Sequence, residues 1–243
     1  NGLKRRLLEV EKITGSLAKL YASDLIRKIL NEPRSMEEKR LLRFGFKVYS
    51  QSDEDGIIAE IFHRIGTTNK TFLEIGSSGG LESNTLYLLL QGWKGSWVDG
   101  SSKFIELIGQ KFSFSLNTGC LKAIHRWVHK ENINQLIEDA TEDGQALDLL
   151  SLDIDGNDYH ILDAIESLNA RVLVVEYNPK FRPPVKWVMA YNPSHSYDGS
   201  DYMGASLKSF EILLLGKGYK LVGCNLLGIN AFFVRKDLMK DNF

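Results

Sequence analysis

The sequence predicts an α/β fold, a three-layer sandwich in which helices cover both faces of a mostly parallel, seven-stranded sheet. Short apolar runs alternate with amphipathic segments from Thr71 onward, as parallel strands alternate with their crossover helices. A glycine turn closes the first run at Gly76, as expected at the end of a buried parallel strand. Only about six residues separate the last two runs, 219–224 and 231–234, so they must form an antiparallel hairpin.

The elements follow from hydrophobic spacing, taken in chain order. Leucines at helical spacing predict helices over residues 1 to about 45, and a further helix over 53–65. Strands are predicted over 71–76, 95–99, 121–128, 146–153, 172–176, 219–224 and 231–234. Helices between them are predicted over 81–91, 104–111, 132–140, 158–168 and 205–216. We expect the strand order 3-2-1-4-5-7-6, a helical extension over 1–48 and one domain over 49–243.

The composition of the chain bears on which ligands and which cellular compartment are expected. Lys and Arg number 30 and Asp and Glu 31, a formal net charge of -1, which argues against nucleic acid as the main partner. Cys120 and Cys224 are the only cysteines, so neither a disulfide framework nor a zinc cluster is expected, and a reducing, cytoplasmic setting is favoured. No apolar run reaches membrane-spanning length.

The N-terminal helices carry leucines on one side and Lys and Arg on the others. We expect the apolar side to pack on the main domain or on a second subunit, which would make a homo-oligomer. A basic helix at a membrane surface is the alternative, and the interspersed acidic residues disfavour it.

The turn after the first strand has the pattern of a nucleotide site. It contains Glu74, Gly76, Ser78 and Gly80, and glycines there let a ligand approach the backbone near a helix N-terminus. Asp99 ends the second strand, where an acid can accept hydrogen bonds from ribose hydroxyls. A plain glycine turn with a solvated acid is the alternative. The G-x-G-x-x-G fingerprint of nicotinamide enzymes is absent.

Five segments resemble the FkbM-type family of S-adenosylmethionine-dependent O-methyltransferases. They are Ser50–Ile58 (SQSDEDGII), Phe72–Gly76 (FLEIG), Gly92–Gly95 (GWKG), Asp153–Tyr159 (DIDGNDY) and Glu176–Pro179 (EYNP). A parallel sheet that ends in a hairpin is likewise typical of class I methyltransferases. The resemblance implies S-adenosylmethionine as cofactor, with Glu74, Gly76 and Asp99 as contacts. We add Ser78, Gly80 and Asp153 to this predicted cofactor site.

Oxygen-bearing side chains cluster where the fourth and fifth strands end. Asp153 and Asp155 follow the fourth strand, and Glu176 and Asn178 lie at the end of the fifth. Adjacent strands lie about 4.8 Å apart, so these oxygens can converge on Mg²⁺ or another divalent cation. The alternative is helix capping, with Asn157 or Asp158 at the N-cap of the next helix, while Glu176 and Asn178 hold the following loop. An EF-hand is excluded, because Asp158 stands where its glycine belongs.

A long loop and two histidines complete the predicted site. Asp153, His160 and His195 are the candidate general bases, although a lone histidine is more often structural. The loop over 179–204 follows the fifth strand and is predicted to cover the acceptor. Its aromatic side chains suit a sugar ring or form a small core that pins the loop. The predicted substrate contacts are Trp187, Tyr191, Tyr197 and Tyr202.

The sequence thus predicts an S-adenosylmethionine-dependent O-methyltransferase that acts on a hydroxyl of a sugar or other small polar natural product, with a divalent metal as an assistant. The alternatives are methyl transfer to nitrogen or carbon without a metal, and a binding protein that keeps the fold without catalysis. A nicotinamide oxidoreductase fits least well.

Overall fold

Seven strands form one sheet in the computed structural model, which describes residues 2–141 and 145–243. The strands are β1 (Thr71–Ile75), β2 (Lys94–Asp99), β3 (Leu121–His125), β4 (Leu149–Leu152), β5 (Val172–Glu176), β6 (Tyr219–Cys224) and β7 (Asn230–Arg235). Their order is β3-β2-β1-β4-β5-β7-β6. Strand β7 runs antiparallel to β5 and β6, and the other pairs are parallel. The predicted order and hairpin are confirmed.

Helices cover both faces of this sheet. They are α1 (Gly2–Leu30), α2 (Glu54–Ile65), α3 (Leu86–Leu90), α4 (Ser102–Lys111), α5 (Ser113–Asn117), α6 (Ile133–Ala140), α7 (Asp158–Ala164) and α8 (Leu207–Gly216). Because strand residues alternate between faces, Phe72 joins the core under α2, α3 and α4, and Leu73 joins the core under α6, α7 and α8. The three-layer sandwich is therefore confirmed.

The N-terminal helix departs from expectation. Helix α1 ends at Leu30, and Pro33 opens a short 3-10 turn instead of a further helix. Apolar side chains along α1 are exposed, with Leu3 at 76% and Leu20 at 68%. The expectation that this helix packs on the main domain is wrong. Amphipathic spacing predicts that a helix has an apolar face, but it does not predict which surface that face packs against. Its association with a second copy stays a prediction. Among the described helices, none is both long and apolar enough to cross a bilayer.

Some helix ends shift because side chains capture backbone groups. The helix predicted from Leu81 begins only at Leu86, since the Glu74 carboxylate accepts the N–H groups of Asn84 and Thr85. The helix predicted to reach 168 ends at Ala164, and α5 was not predicted. Residues 142–144 lie outside the described chain, and no predicted element falls on them.

Candidate functional site

A cleft of about 460 Å³ lies at the carboxyl ends of β1, β2, β4 and β5, where ligands bind in open α/β sheets. The first residue of β7 reaches the same edge, because that strand runs antiparallel to β5. The predicted site residues that line the cleft are Glu74, Gly76, Ser78, Asp99, Asp153, Asp155, Glu176, His195 and Tyr197. Those that do not line it are Gly80, His160, Asn178, Trp187, Tyr191 and Tyr202.

Gly76 lets the turn after β1 pass against the turn after β4. Its φ is +88°, and a Cβ at this position would lie 1.5 Å from the carbonyl oxygen of Asp153. Its N–H donates to the Val98 carbonyl at 2.9 Å. The sequence suggested that this glycine makes room for a ligand. The structure shows that it makes room for the Asp153 backbone, which joins two strand ends into one cleft wall.

The rest of the glycine turn is tied to Asp99. Ser78 has a φ of +51°, and its N–H donates to Asp99 Oδ2 at 2.8 Å. The Ser101 N–H donates to Asp99 Oδ1 at 2.8 Å. Gly80 ends the turn and packs against the Trp97 ring, where a Cβ at position 80 would lie 2.5 Å from that ring. Each carboxylate oxygen of Asp99 has two lone pairs, so both can still accept a ligand hydroxyl. Burial raises the pKa of Asp99.

Glu74 is held more firmly than the sequence suggested. It is 4% exposed, and its carboxylate accepts the Asn84 N–H at 2.8 Å and the hydroxyl of Thr85. The indole of Trp97 donates to that same hydroxyl at 2.7 Å. Burial raises the pKa of Glu74, while these donors oppose the rise. Glu74 therefore lines the cleft and also fixes the start of α3.

Unpartnered polar atoms concentrate in the cleft. Within residues 2–141 and 145–243, five buried side-chain atoms have no hydrogen-bond partner. Three of them belong to residues that line the cleft: Ser77 Oγ, Glu176 Oε2 and Asn230 Oδ1. Buried polar groups are normally paired, so these atoms call for a ligand. Ser77 lies beside the glycine turn, and the other two lie at the ends of β5 and β7.

Three predicted metal ligands come together. Carboxylate oxygens of Asp153, Asp155 and Glu176 lie within 4.8 Å of one another. Burial, reinforced by neighbouring acids, raises the pKa of both Asp153 and Glu176. The neighbouring acid Asp158 is not part of this group, because its carboxylate accepts the backbone N–H groups of Ile154 and Gly156, each at 2.9 Å. A cation or a shared proton must offset the repulsion among the other three acids.

Asn178, the fourth predicted ligand, is engaged elsewhere. Its Nδ2 donates to the carbonyls of Asp201 at 2.8 Å and Met203 at 3.0 Å. Its Oδ1 accepts the Lys180 N–H at 3.1 Å. Asn178 does not line the cleft, and these hydrogen bonds use its side chain to hold the loop after β5. This arrangement matches the alternative role, loop anchoring.

Only one of the two candidate histidines lines the cleft. His160 lies outside the cleft, where its Nε2 contacts the Met189 carbonyl at 2.7 Å. His195 lines the cleft, and its Nε2 contacts the Asp155 carbonyl at 3.2 Å. A carbonyl can only accept, so Nε2 carries the proton and Nδ1 of neutral His195 is left as the acceptor. The geometry thus favours Asp153 and His195 over His160 as candidate bases.

Most loop aromatics pin the loop instead of lining the cleft. Trp187 stacks on Phe181 with ring centroids 4.3 Å apart and meets Tyr202 edge-on at 5.6 Å. The hydroxyl of Tyr191 donates to Glu131 at 3.2 Å. Only Tyr197 among the four predicted substrate contacts lines the cleft, with 52% of its surface exposed. The alternative of an aromatic mini-core therefore describes Trp187 and Tyr202.

Several cleft residues were missed by sequence reasoning. They include Gln51, Ser77, Phe104, Trp127 and Asn230. Trp127 donates its indole N–H to the Pro193 carbonyl at 2.7 Å, which ties the end of β3 to the long loop. A signal existed for Asn230, since the first residue of a final antiparallel strand must reach the edge where parallel strands end. Phe104 lies in the first turn of α4, the helix that follows Asp99 at the end of β2. This position at the carboxyl edge of the sheet was a second signal for a cleft residue.

The solved structures to which this chain is similar include methyltransferases. A candidate caffeoyl-CoA O-methyltransferase from Staphylococcus aureus is 13% identical over 90% of this chain and 99% of that chain, with a TM-score of 0.53. An O-methyltransferase from Bacillus cereus in complex with SAH is 15% identical over 69% and 74%, with a TM-score of 0.45. A Clostridium acetobutylicum S-adenosylmethionine-dependent methyltransferase is 12% identical over 88% and 99%, also at 0.45.

The Staphylococcus aureus structure establishes a shared fold, the Rossmann-like sheet of class I methyltransferases, which was the predicted fold. At this identity it establishes the fold alone. No family model matches the chain, so the FkbM-type resemblance stays a prediction. No curated protein matches it either.

Proposed function

We propose that this protein transfers a methyl group from S-adenosylmethionine to a hydroxyl of a small polar acceptor. One observation carries the proposal. A single cleft joins the glycine turn at Gly76, the acid Asp99 and the unpartnered hydroxyl of Ser77 to a group of acids at the ends of β4 and β5. The first set fits a nucleoside with an amino-acid tail, and the second fits a polar acceptor.

The residues near β1 and β2 fit the cofactor. Asp99 has lone pairs left for two ribose hydroxyls, and Ser77 Oγ has no protein partner. Phe104 and Val128 give the same part of the cleft an apolar wall. S-adenosylmethionine supplies an electrophilic methyl on a sulfonium when bound. The chain's residues bind and orient that group and exclude water from it.

The transfer itself requires a base on the acceptor side. Transfer would break the S–CH3 bond as the acceptor oxygen bonds to that carbon, would leave S-adenosylhomocysteine as product, and would require the hydroxyl to give up its proton. We assign this proton to Asp153 or to His195 Nδ1, because both residues line the cleft. Tyr197 is the loop residue proposed to contact the acceptor. The polar lining supports a sugar or polyol as acceptor.

A divalent cation fits the acidic part of the cleft. Asp153, Asp155 and Glu176 would hold it, and carboxylates are the ligands that Mg²⁺ and Mn²⁺ prefer. A cation there lowers the pKa of a bound hydroxyl. The FkbM-type segments support this reading of the chain, because 153–159 and 176–179 contribute these acids.

Calorimetric titration with S-adenosylhomocysteine tests the proposed cofactor-binding part of the cleft. Asp99→Asn should weaken binding about 10- to 100-fold, because a hydrogen bond to a charged group contributes about 1.5–3 kcal/mol. Asp163→Asn, an exposed acid on α7 that removes the same charge, should leave binding unchanged. Equal affinities in the two variants would move the nucleoside elsewhere. Tight binding without transfer of labelled methyl to any sugar or polyol would favour the binding-protein alternative.

A further inference from the structure

Asn230 and Glu176 lie side by side in the cleft lining. They are paired across β7 and β5, and residues paired this way point to the same face with Cβ atoms about 4.5–5.5 Å apart. Asn230 is 2% exposed, and its Oδ1 has no partner among the described residues. Glu176 Oε2 is likewise unpartnered. Two buried, adjacent acceptors need either a shared proton or an electropositive ligand between them.

Glu54 decides which end of the Asn230 amide faces the cleft. It is fully buried, and its Oε1 accepts from Asn230 Nδ2 at 3.1 Å and Asn225 Nδ2 at 2.7 Å. Its Oε2 accepts the Ser52 N–H at 2.7 Å. All three partners are donors, so the amide nitrogen of Asn230 must face this carboxylate. The carbonyl oxygen is then turned away from Glu54.

The strand register extends this row. Leu152 pairs with Val175, so Asp153 follows next to Glu176, and Asn230 lies on the other side of Glu176. Carboxylate, carboxylate and amide oxygens thus stand side by side at three neighbouring strand ends. Asp155 adds an exposed carboxylate from the turn after β4. Two half-buried acids with one neutral amide oxygen are a ligand set that suits a hard divalent cation.

We propose that Asn230 Oδ1 is a ligand of the divalent cation bound by Asp153 and Glu176, and that Glu54 is the positioning residue that aims it. Asn230 takes the ligand position that was predicted for Asn178. The inference rests on the cation part of the proposed function, and it is independent of S-adenosylhomocysteine binding. It also gives the segment 50–58 a role, because Glu54 reaches the site from behind the hairpin.

Direct Mn²⁺ binding, followed by the electron paramagnetic resonance of the free ion, tests the proposal without an acceptor. Wild type should bind one Mn²⁺ per chain. Asn230→Ala should weaken binding about tenfold or more, the usual effect of losing an oriented group in a metal site. Asn178→Ala is the matched control, since it is an equally buried asparagine at the end of β5. It should bind Mn²⁺ like wild type.

Glu54 is tested by exchanging donor and acceptor. Glu54→Gln alone should weaken Mn²⁺ binding several-fold while S-adenosylhomocysteine affinity stays constant, because the new amide can turn the Asn230 carbonyl towards itself. Adding Asn230→Asp should restore Mn²⁺ binding, since an amide at 54 can donate to one carboxylate oxygen and leave the other for the ion. A purely structural role for the pair would not give this rescue.

The outcomes are decisive. The proposal is overturned if wild type binds no Mn²⁺ up to about 1 mM, the weak end of protein cation sites. It is also overturned if Asn178→Ala loses as much affinity as Asn230→Ala. If Asn230→Ala does not fold, the doubly substituted chain decides, and failure to bind Mn²⁺ there overturns the proposal. Loss of Mn²⁺ binding with intact S-adenosylhomocysteine binding leaves the cofactor site standing.

Discussion

A single methyl group at Gly76 should disrupt the cleft wall. In Gly76→Ala the new Cβ would lie 1.5 Å from the Asp153 carbonyl oxygen, and the φ of +88° disfavours any L side chain. A left-handed backbone costs about 1–2 kcal/mol, and overpacking of a filled site costs about 1–3 kcal/mol, so the variant should lose about 2–5 kcal/mol of unfolding free energy. That is a large share of the roughly 5–15 kcal/mol typical of a folded protein.

The chain offers a matched control three residues away. In Gly79→Ala the nearest atom would be Leu107 Cδ1 at 3.7 Å, an ordinary contact, and its φ is not left-handed. This variant should unfold like wild type or gain about 0.4–1 kcal/mol from a less flexible unfolded chain. Urea unfolding followed by the fluorescence of the buried Trp93 and Trp97 measures both.

Two results would refute this reasoning. Equal unfolding free energies for Gly76→Ala and Gly79→Ala would mean that the turns after β1 and β4 do not meet as described. A destabilised Gly76→Ala that still binds S-adenosylhomocysteine with wild-type affinity would mean that the Asp153 backbone does not shape the cofactor half of the cleft. The first outcome is incompatible with a Cβ 1.5 Å from the Asp153 carbonyl oxygen.

Two further predictions concern polar atoms of the cleft. Ser77→Ala should weaken S-adenosylhomocysteine about 5- to 10-fold in calorimetry, the value of one hydrogen bond of about 1–1.5 kcal/mol, without a change in melting temperature, because Ser77 Oγ has no protein partner among the described residues. The raised pKa values of Asp153 and Glu176 make the metal-free protein lose stability as pH rises from their unfolded pKa near 4 through the higher folded values. Asp153→Asn should therefore melt about 2–4 °C higher than wild type at pH 8, which corresponds to about 1 kcal/mol, and similarly to wild type at pH 4. Equal melting curves at both pH values would contradict mutual repulsion of these acids.

The sheet could be predicted because its signals are local. Five apolar runs separated by helices allow a parallel sheet, and a six-residue loop between 219–224 and 231–234 forces a hairpin. The signal for the glycine turn was equally local, since Gly76 and Asp99 are marked by their places at strand ends. These features need no knowledge of how distant segments meet.

The details of the acidic site depended on distant contacts. Asn178 and Asn230 are both buried asparagines at strand ends, and the sequence gives no reason to prefer one. The choice is made by their partners: loop carbonyls at 201 and 203 hold Asn178, and Glu54 turns Asn230. Helix α1 illustrates the same limit, because its apolar spacing predicted a covered face and the main domain does not cover it.

A crystal structure with S-adenosylhomocysteine bound would show whether the cleft is the cofactor site. We expect ribose hydroxyls within hydrogen-bonding distance of Asp99, a polar atom of the ligand within hydrogen-bonding distance of Ser77 Oγ, and the thioether sulfur directed towards the acids at the ends of β4 and β5. Density for the ligand outside this cleft, or a ligand whose sulfur points away from Asp153, would contradict this expectation.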